Sequence, residues 1–515
     1  MLLRSSALLA LLALLPSPFA TAQTPGLPAY TETLTSADGP SSGSTFGRAV
    51  AVDAGAAVVG EPNRTLPPSG DLAGSATAFA HDGNGWQDAT ALPAQGLEAL
   101  DRFGIAVAVS GSRVVVGAPG DDDAGSDAGA AYVFVRDAAG TWSQEAKLTM
   151  PAADAGDRAG EAVDIDGDRI VVGSSLRQVG GSAFAGTVYV SERQAGGWQN
   201  TATLTATAPA FNDGFGKAVS VSGPTIAVGA SGRASGAIAE AGAVFMFTLS
   251  GGTWTQQAEI TAPAPVQNAE FGRAVDVVGP RVLIGEPAAL SNGFGKAYLF
   301  SFTGAWTLDA TLSSANATLD DSFGFAVALD GDLALVGVPD GRAGGGTSGA
   351  GGAVLFDRSS GAWQEARVYI REPAPPAIND QFGAAVALSG GRLLISAPLV
   401  DPAPGQSNAG VVDAYDRSTG TAGAPGAPEA QAALSRPRPN PSADGTRLAL
   451  VVGTPQAARV TLHDALGRTV AVLHDGPVTG ATELSVDTSL LTPGVYVVRA
   501  YGGGFALSHP VVVAR

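Results

Sequence analysis

The chain has 515 residues, with 70 glycines, 33 prolines, no cysteine and a formal net charge of −18. The missing cysteine excludes disulfides, thiolate catalysis, Cys-ligated zinc and a lipid-anchored N-terminal cysteine, and the acid excess argues against nucleic acid as a partner. Hydrophobic residues at 45 % supply a substantial core, while charged residues at 15 % and the many turn-formers favour short strands over long solvated helices.

Residues 1–22 read as an export signal. Arg4 provides the positive start, and Ala7 to Leu15 is an apolar run too short to cross a bilayer. Ala20-Thr21-Ala22 then fits a small-x-small cleavage site, so cleavage between Ala22 and Gln23 is expected. No later stretch is apolar enough for a transmembrane helix.

Residues 23–418 are organised by a sevenfold repeat. The clearest unit, Asp101 to Met150, holds four alternating apolar runs separated by turn residues, which predicts four short antiparallel strands, A to D. The start of strand A recurs as Phe46-Gly47, Phe103-Gly104, Ala159-Gly160, Phe215-Gly216, Phe271-Gly272, Phe323-Gly324 and Phe382-Gly383, with glycine spacings of 57, 56, 56, 56, 52 and 59. The end of strand B recurs as Gly60-Glu61-Pro62, Gly117-Ala118-Pro119, Gly285-Glu286-Pro287, Gly337-Val338-Pro339 and Ser396-Ala397-Pro398. It is degenerate at Gly173-Ser174-Ser175 and Gly229-Ala230-Ser231.

Four-stranded units at this period predict the blades of a β-propeller, since one unit cannot bury both of its faces alone. Each of the six tryptophans, Trp86, Trp142, Trp198, Trp254, Trp306 and Trp363, opens a D strand, and the seventh unit ends near Tyr415-Asp416-Arg417 without one. Tyr30 to Thr35 reads like a D strand, so it is expected to complete the seventh blade and close the ring.

These units resemble the FG-GAP repeat family, known from the propeller of integrin α chains and from exported bacterial proteins. The resemblance implies the propeller fold and leaves the function open, since one fold hosts many functions. It also raises the question of calcium, because integrin-type blades carry D-x-D-x-D-G loops between strands A and B. Here those loops are tight turns, such as Ser110-Gly111-Ser112 and Asp166-Gly167-Asp168, with too few ligands. The best remaining candidate for Ca²⁺ is the second B–C loop, with Asp121, Asp122, Asp123 and Asp127. A solvated acidic loop is the alternative reading of the same residues.

Residues 419–438 form an Ala/Gly/Pro-rich linker without periodicity. Residues 439–515 hold short apolar runs, Leu448–Val452, Val460–Leu462, Val470–Leu473, Val495–Arg499 and the terminal Val511 to Arg515, which predict a small Ig-like β-sandwich. Three stretches, Pro439-Asn440-Pro441, Leu462 to Arg468 and Leu491 to Tyr496, resemble the C-terminal sorting domain of type IX secretion substrates. That resemblance implies passage through the type IX machinery to the outside or surface of a Gram-negative cell. An ordinary Ig-like adhesion module is the alternative. The expected fold class is therefore all-β, a seven-bladed propeller followed by a small sandwich.

Catalytic groups are scarce. His81 is the one histidine of the propeller region, so neither a histidine metal centre nor a Ser-His-Asp triad is expected, and no cofactor is called for. Asp101, Asp157, Asp213, Asp321 and Asp380 recur two residues before the A-strand motif, where a carboxylate suits the capping of turn N–H groups. Strand direction puts the short A–B and C–D turns on one face. The long, variable loops Glu61–Gly74, Gly120–Gly129, Ser174–Gly186, Ser231–Gly242 and Leu399–Gly410 gather on the other, where a recognition surface belongs. The expected function is binding of an extracellular protein or carbohydrate by that face. The alternative is a secreted hydrolase using paired carboxylates near the central channel.

Overall fold

The computed structural model describes residues 27–513, apart from residues 54, 68, 84, 288–294, 315–321, 342–348, 372–378, 418–431, 435–444, 464–467, 490 and 503–504. The signal segment, its Ala22/Gln23 cleavage site and Pro439-Asn440-Pro441 lie outside the described residues, as does Asp321. Among the described residues the regular elements are all β-strands, gathered into seven four-stranded sheets and one five-stranded sheet.

Six of the four-stranded sheets are antiparallel meanders of consecutive strands. In the second, Val107–Ser110, Arg113–Ala118, Ala130–Arg136 and Trp142–Thr149 pair in sequence order as strands A to D. The alternation of strand chemistry follows the layering. Strands B and C read as nearly unbroken apolar runs because neighbouring sheets cover both of their faces, whereas strand D is half-buried to exposed between the buried Trp142 and Leu148. The tryptophans sit at the start of D as expected; Trp198 and Trp254 are second in their strands, and Trp363 precedes Gln364–Tyr369 by one residue.

The A strands stand side by side from the first sheet to the seventh, and Val386–Ser389 of the seventh adjoins Ala49–Asp53 of the first. This repeated stacking is consistent with a β-propeller. Apolar clusters bridge successive sheets, and one of them joins Leu394 and Val412 of the last sheet to Phe46, Val59 and Phe79 of the first. The N-terminal strand Pro28–Leu34 supplies the outer strand of the seventh sheet, antiparallel to Val411–Arg417, with Tyr30 opposite Tyr415 and Leu34 opposite Val412.

The two recurring motifs meet at the sheet-to-sheet joints. The aromatic ring of Phe103 is fully buried against Tyr132 and Phe134. Its N–H donates to the Ala73 carbonyl of the preceding sheet, and the same bond recurs from Phe46 to Ala409, Ala159 to Ala128, Phe215 to Ala185, Phe271 to Ala241 and Phe382 to Ala350. The B-strand glycine then lies directly on the next sheet's Phe-Gly backbone. A Cβ on Gly117 would fall 1.9 Å from the Gly160 carbonyl oxygen, and one on Gly229 would fall 2.1 Å from that of Gly272. Both named motifs therefore serve close backbone approach between sheets.

A second set of joints lies at the A–B turns, where a side chain in one sheet accepts the turn-glycine N–H of the next. Asp53 accepts from Gly111 at 2.7 Å, Ser110 from Gly167 at 3.1 Å, Asp166 from Gly223 at 2.7 Å, Ser222 from Gly279 at 3.2 Å and Asp330 from Gly390 at 2.6 Å. The inner strands have no sheet partner on this side, so side chains from the neighbour take up their free donors.

The C-terminal unit differs from the expected pattern. Leu448–Val452 and Val460–Leu462 belong to one long strand, Thr446–His463, and Val470–Leu473 belongs to Thr469–Val486. With Gly494–Gly502 and Phe505–Val513 these strands join into a single hydrogen-bonded sheet around Leu448, Val460, Leu462, Tyr496 and Val498. Its fifth strand, Ala432–Leu434, pairs with Leu450 to Val452 and lies inside the segment read as linker. A three-residue strand carries too few apolar positions to show periodicity, which is why composition masked it.

Candidate functional site

The ring of A strands creates the site, because it brings together residues some 56 positions apart in the chain. The residue after each Phe-Gly or Ala-Gly points toward the axis: Arg48, Ile105, Glu161, Lys217, Arg273, Phe325 and Ala384 all line one cavity of about 500 Å³. Arg102, Arg158, Leu100, Pro119 and Asp127 complete its rim. A neighbouring cavity of about 480 Å³ shares Arg48, Arg102, Ile105, Phe325 and Ala384, and adds Pro62, Pro339, Asp340, Pro398 and Leu399. These residues come from A-strand starts and B–C loops, so both cavities open on the long-loop face.

The backbone that sets this rim is unusual in a repeated way. The residue before the motif has a left-handed φ in all seven units: Thr45 at 57°, Arg102 at 55°, Arg158 at 53°, Gly214 at 63°, Glu270 at 55°, Ser322 at 55° and Gln381 at 54°. Non-glycine residues adopt this region only where the surroundings hold them there. Here the motif N–H bonds to the preceding sheet and the buried Phe, or Ala159 in the third unit, do so, and the backbones of Arg102 and Arg158 are thereby fixed.

Charge divides the mouth. The first five sheets each contribute a cation, Arg48, Arg102, Arg158, Lys217 and Arg273, while the described residues of the sixth and seventh contribute no cation but Phe325, Pro339, Ala384, Pro398 and Leu399, with Asp340 and Gln381 beside them. Lys217 approaches Glu161 at 3.6 Å, and Arg273 pairs with Glu270 at 3.2 Å and lies 4.9 Å from the centre of the Phe325 ring. Arg48 is exposed to the open channel but surrounded by protein; desolvation there, with the like charge of Arg273, lowers its pKa. Among the described residues, no hydrogen bond or ion pair holds the side chains of Arg48, Arg102 or Arg158.

Deeper in the channel wall lie two carboxyls from different sheets. Asp164 accepts the Val221 N–H at 2.6 Å, and Asp276 accepts the Leu329 N–H at 2.7 Å and the Ser220 hydroxyl at 3.2 Å. Burial raises Asp164 to about 7 against its N–H bond, with the Asp276 charge adding to the rise, and burial raises Asp276 to about 6. Both carboxyls thus hold a proton to higher pH in the folded chain than in the unfolded one. Stability from this source is present at acid pH and is lost as pH rises from about 4 to about 7. We expect the unfolding free energy to fall by on the order of 7 kcal/mol across that window. Asp164→Asn with Asp276→Asn should flatten the profile, read by urea titration at several pH values.

The sequence-predicted residues are placed as follows. Asp101, Asp157 and Asp213 accept the N–H groups of Glu98 (2.8 Å), Asp154 (2.7 Å) and Ala210 (2.7 Å), the turn-capping role read from their repetition. Asp380 is buried at the same repeat position. Arg177 and Arg233 reach back from the B–C loops to Asp157 and Asp213. The loop read as a calcium candidate is arranged otherwise. Asp121 is buried, accepts the Tyr132 hydroxyl at 2.7 Å and pairs with Lys147 at 2.7 Å. Asp123 also takes the Lys147 ammonium, and Asp122 accepts the Asp127 N–H at 2.8 Å. Lys147 thus occupies the space between the carboxylates where a cation would sit, and no group of three or more His, Asp or Glu among the described residues is placed to hold a metal. His81 meets Asp416 of the seventh sheet at 2.9 Å, at the end of strand C away from the mouth.

The cations of the mouth were not singled out from sequence. Their signal was present in the variable residue on either side of the Phe-Gly motif, but charge there gains meaning only once the ring is closed. A pair of exposed aromatics on the long-loop face was missed too: Phe184 and Phe211, 43 % and 70 % exposed, lie 6.0 Å apart.

Comparison with known proteins agrees with the repeat. The FG-GAP repeat model matches residues 86–134, 142–191, 198–247, 254–300 and 306–356. No curated protein matches the chain. Among solved structures, a fungal alcohol oxidase of the AA5 family, in complex with copper, is similar over 95 % of this chain and 100 % of its own, with a TM-score of 0.51 and 13 % identity; that likeness concerns the fold alone. Sqt1 of Saccharomyces cerevisiae covers 82 % of this chain and 96 % of its own, with a TM-score of 0.40 and 11 % identity. No helix among the described residues is long and apolar enough to cross a membrane. With five matched repeats, each running from a D strand through the next A, B and C strands, the chain is an FG-GAP repeat protein.

Proposed function

We propose that this is an exported binding protein of a Gram-negative bacterium, acting outside the cell or on its surface through the long-loop face of a closed seven-bladed propeller. The observation that carries the reading is the concentration of long loops, unpaired arginines and exposed aromatics on one face of a rigid ring. FG-GAP propellers often serve binding or adhesion, which supports the same reading. In this reading residues 1–22 are removed on export, and the unit at 439–515 is a type IX sorting domain or, failing that, an Ig-like adhesion module.

The test is a glycan-array and extracellular-matrix screen of the purified protein, with and without calcium. A ligand should be found, and Phe184→Ala with Phe211→Ala should weaken it about tenfold without lowering the melting temperature, since exposed rings add little to stability. Binding that survives those changes and a graft of short neutral loops over Gly120–Gly129 and Ser231–Gly242 sinks the reading. Deleting residues 439–515 should trap the protein in the periplasm; normal surface delivery counts against the sorting role.

One observation favours a second reading, hydrolysis by paired carboxyls. Asp164 and Asp276 come from different sheets and titrate near neutrality, as an acid–base pair requires. Their bonds to Val221 and Leu329 give them a structural task as well. Turnover of a polysaccharide or ester that Asp164→Asn abolishes would establish this reading in place of the first.

A further inference from the structure

We infer that the mouth of the ring recognises an acidic saccharide, with the anionic group seated among Arg48, Arg102 and Arg158 and the sugar ring laid against Phe325 and the prolines opposite. The inference rests on the binding role proposed above and names its ligand class.

The first support is a local reversal of charge. The chain carries 47 acidic and 29 basic residues, yet the first cavity is lined by five cations and two carboxylates. In so acidic a protein an arginine readily finds a carboxylate. Arg64, Arg113, Arg169, Arg177 and Arg233 all do, with glutamate or aspartate 3.2 Å away or less. Among the described residues of the seven sheets, the three arginines without a described partner share one cavity. Like charges gathered there raise the energy of the empty site, and an anion that enters relieves it.

The second support is geometric. Arg102 and Arg158 are held on left-handed residues by the sheet-to-sheet bonds of the motif, so their backbones are fixed before any ligand arrives. Guanidinium groups fit carboxylate or sulfate through paired N–H donors. The opposite arc presents the apolar Phe325, Pro339, Pro398 and Leu399, with Asp340 among them accepting the Ser322 hydroxyl at 2.6 Å, and Arg273 stacked on Phe325 holds that ring in place. A sugar acid has both surfaces: one anionic substituent, and C–H faces that pack on aromatic and proline rings. Two adjoining cavities of about 500 and 480 Å³ suit a short oligosaccharide better than a bare ion.

The experiment is calorimetric titration of the full-length protein at low ionic strength. The probes are a trigalacturonate, a sulfated disaccharide, neutral maltotriose, inorganic phosphate and an acidic hexapeptide. Binding of either acidic sugar, weakened by salt and absent for maltotriose, is the expected result; which of the two binds separates carboxylate from sulfate. Arg48→Gln with Arg102→Asn should lower that affinity at least tenfold with the melting temperature unchanged, asparagine being chosen because it tolerates a left-handed φ. The inference is overturned if maltotriose or phosphate binds as tightly as the acidic sugars. It is equally overturned if only the peptide binds, or if the double variant binds unchanged. Should the acidic sugars fail while a ligand from the array is lost on Phe184→Ala and Phe211→Ala, this inference falls and the binding role stands.

Discussion

A chain lacking residues 27–35 should melt on the order of 10 °C lower than the intact protein and should self-associate. Pro28–Leu34 touches three sheets. It pairs along Val411–Arg417 of the seventh, its Pro28 carbonyl accepts from Tyr369 at 3.0 Å and Arg367 at 2.9 Å in the sixth, and Glu32 accepts the Trp86 N–H of the first at 2.7 Å. Its removal exposes Val412 and Ala414 beside the joint where the first and last sheets meet. It also leaves the donors and acceptors of Val411–Arg417 open to a second chain. The check is differential scanning calorimetry with light scattering, and a synthetic peptide of residues 27–36 should restore part of the lost stability. An unchanged melting temperature would mean that this strand does not close the ring.

The second large effect is expected from one methyl group. Gly229→Ala should destabilise the protein by at least about 3 kcal/mol, because its Cβ would lie 2.1 Å from the Gly272 carbonyl oxygen and only a shift of one sheet against the next relieves the clash. Gly223→Ala is the control. Gly223, unlike Gly229, has a left-handed φ, 54°, but no atom lies within 4 Å of an added Cβ, so its cost should stay near 1 kcal/mol. Urea denaturation of the two variants separates them. Equal costs would show that conformational freedom, and not contact between sheets, is what the B-strand glycine provides. The seventh sheet already departs from the rule: Ser396 stands in the glycine position, with its Cβ 3.1 Å from a Cβ built on Gly47, and its hydroxyl accepts the Ala385 N–H at 2.9 Å.

The matched repeats and the observed sheets are out of phase. Each match starts at a tryptophan, Trp86, Trp142, Trp198, Trp254 or Trp306, and so runs from the D strand of one sheet through the A, B and C strands of the next. A match in this frame spans the joint between sheets, where Phe-Gly and the B-strand glycine meet. The most recurrent residues therefore belong to the interface and not to the interior of one sheet.

The sequence by itself determined the four-strand unit, the periodic aromatic and glycine positions, the capping role of Asp101, Asp157 and Asp213, and the pairing of residues near Tyr30 with the strand near Tyr415. These are local patterns repeated many times, and repetition turns a weak periodic signal into a strong one. The tertiary structure alone decided the rest. Asp121 and Asp123 looked like ion ligands in a loop, but a lysine more than 20 residues later on strand D comes between them. Ala432–Leu434 looked like linker until its partner strand was in place. Arg48, Arg102, Arg158, Lys217 and Arg273 are separate surface charges in the chain, and they become one site only where five A strands converge on a common axis. Local chemistry fixes what each repeat folds into, whereas a site shared among repeats exists only once the distances between them are set.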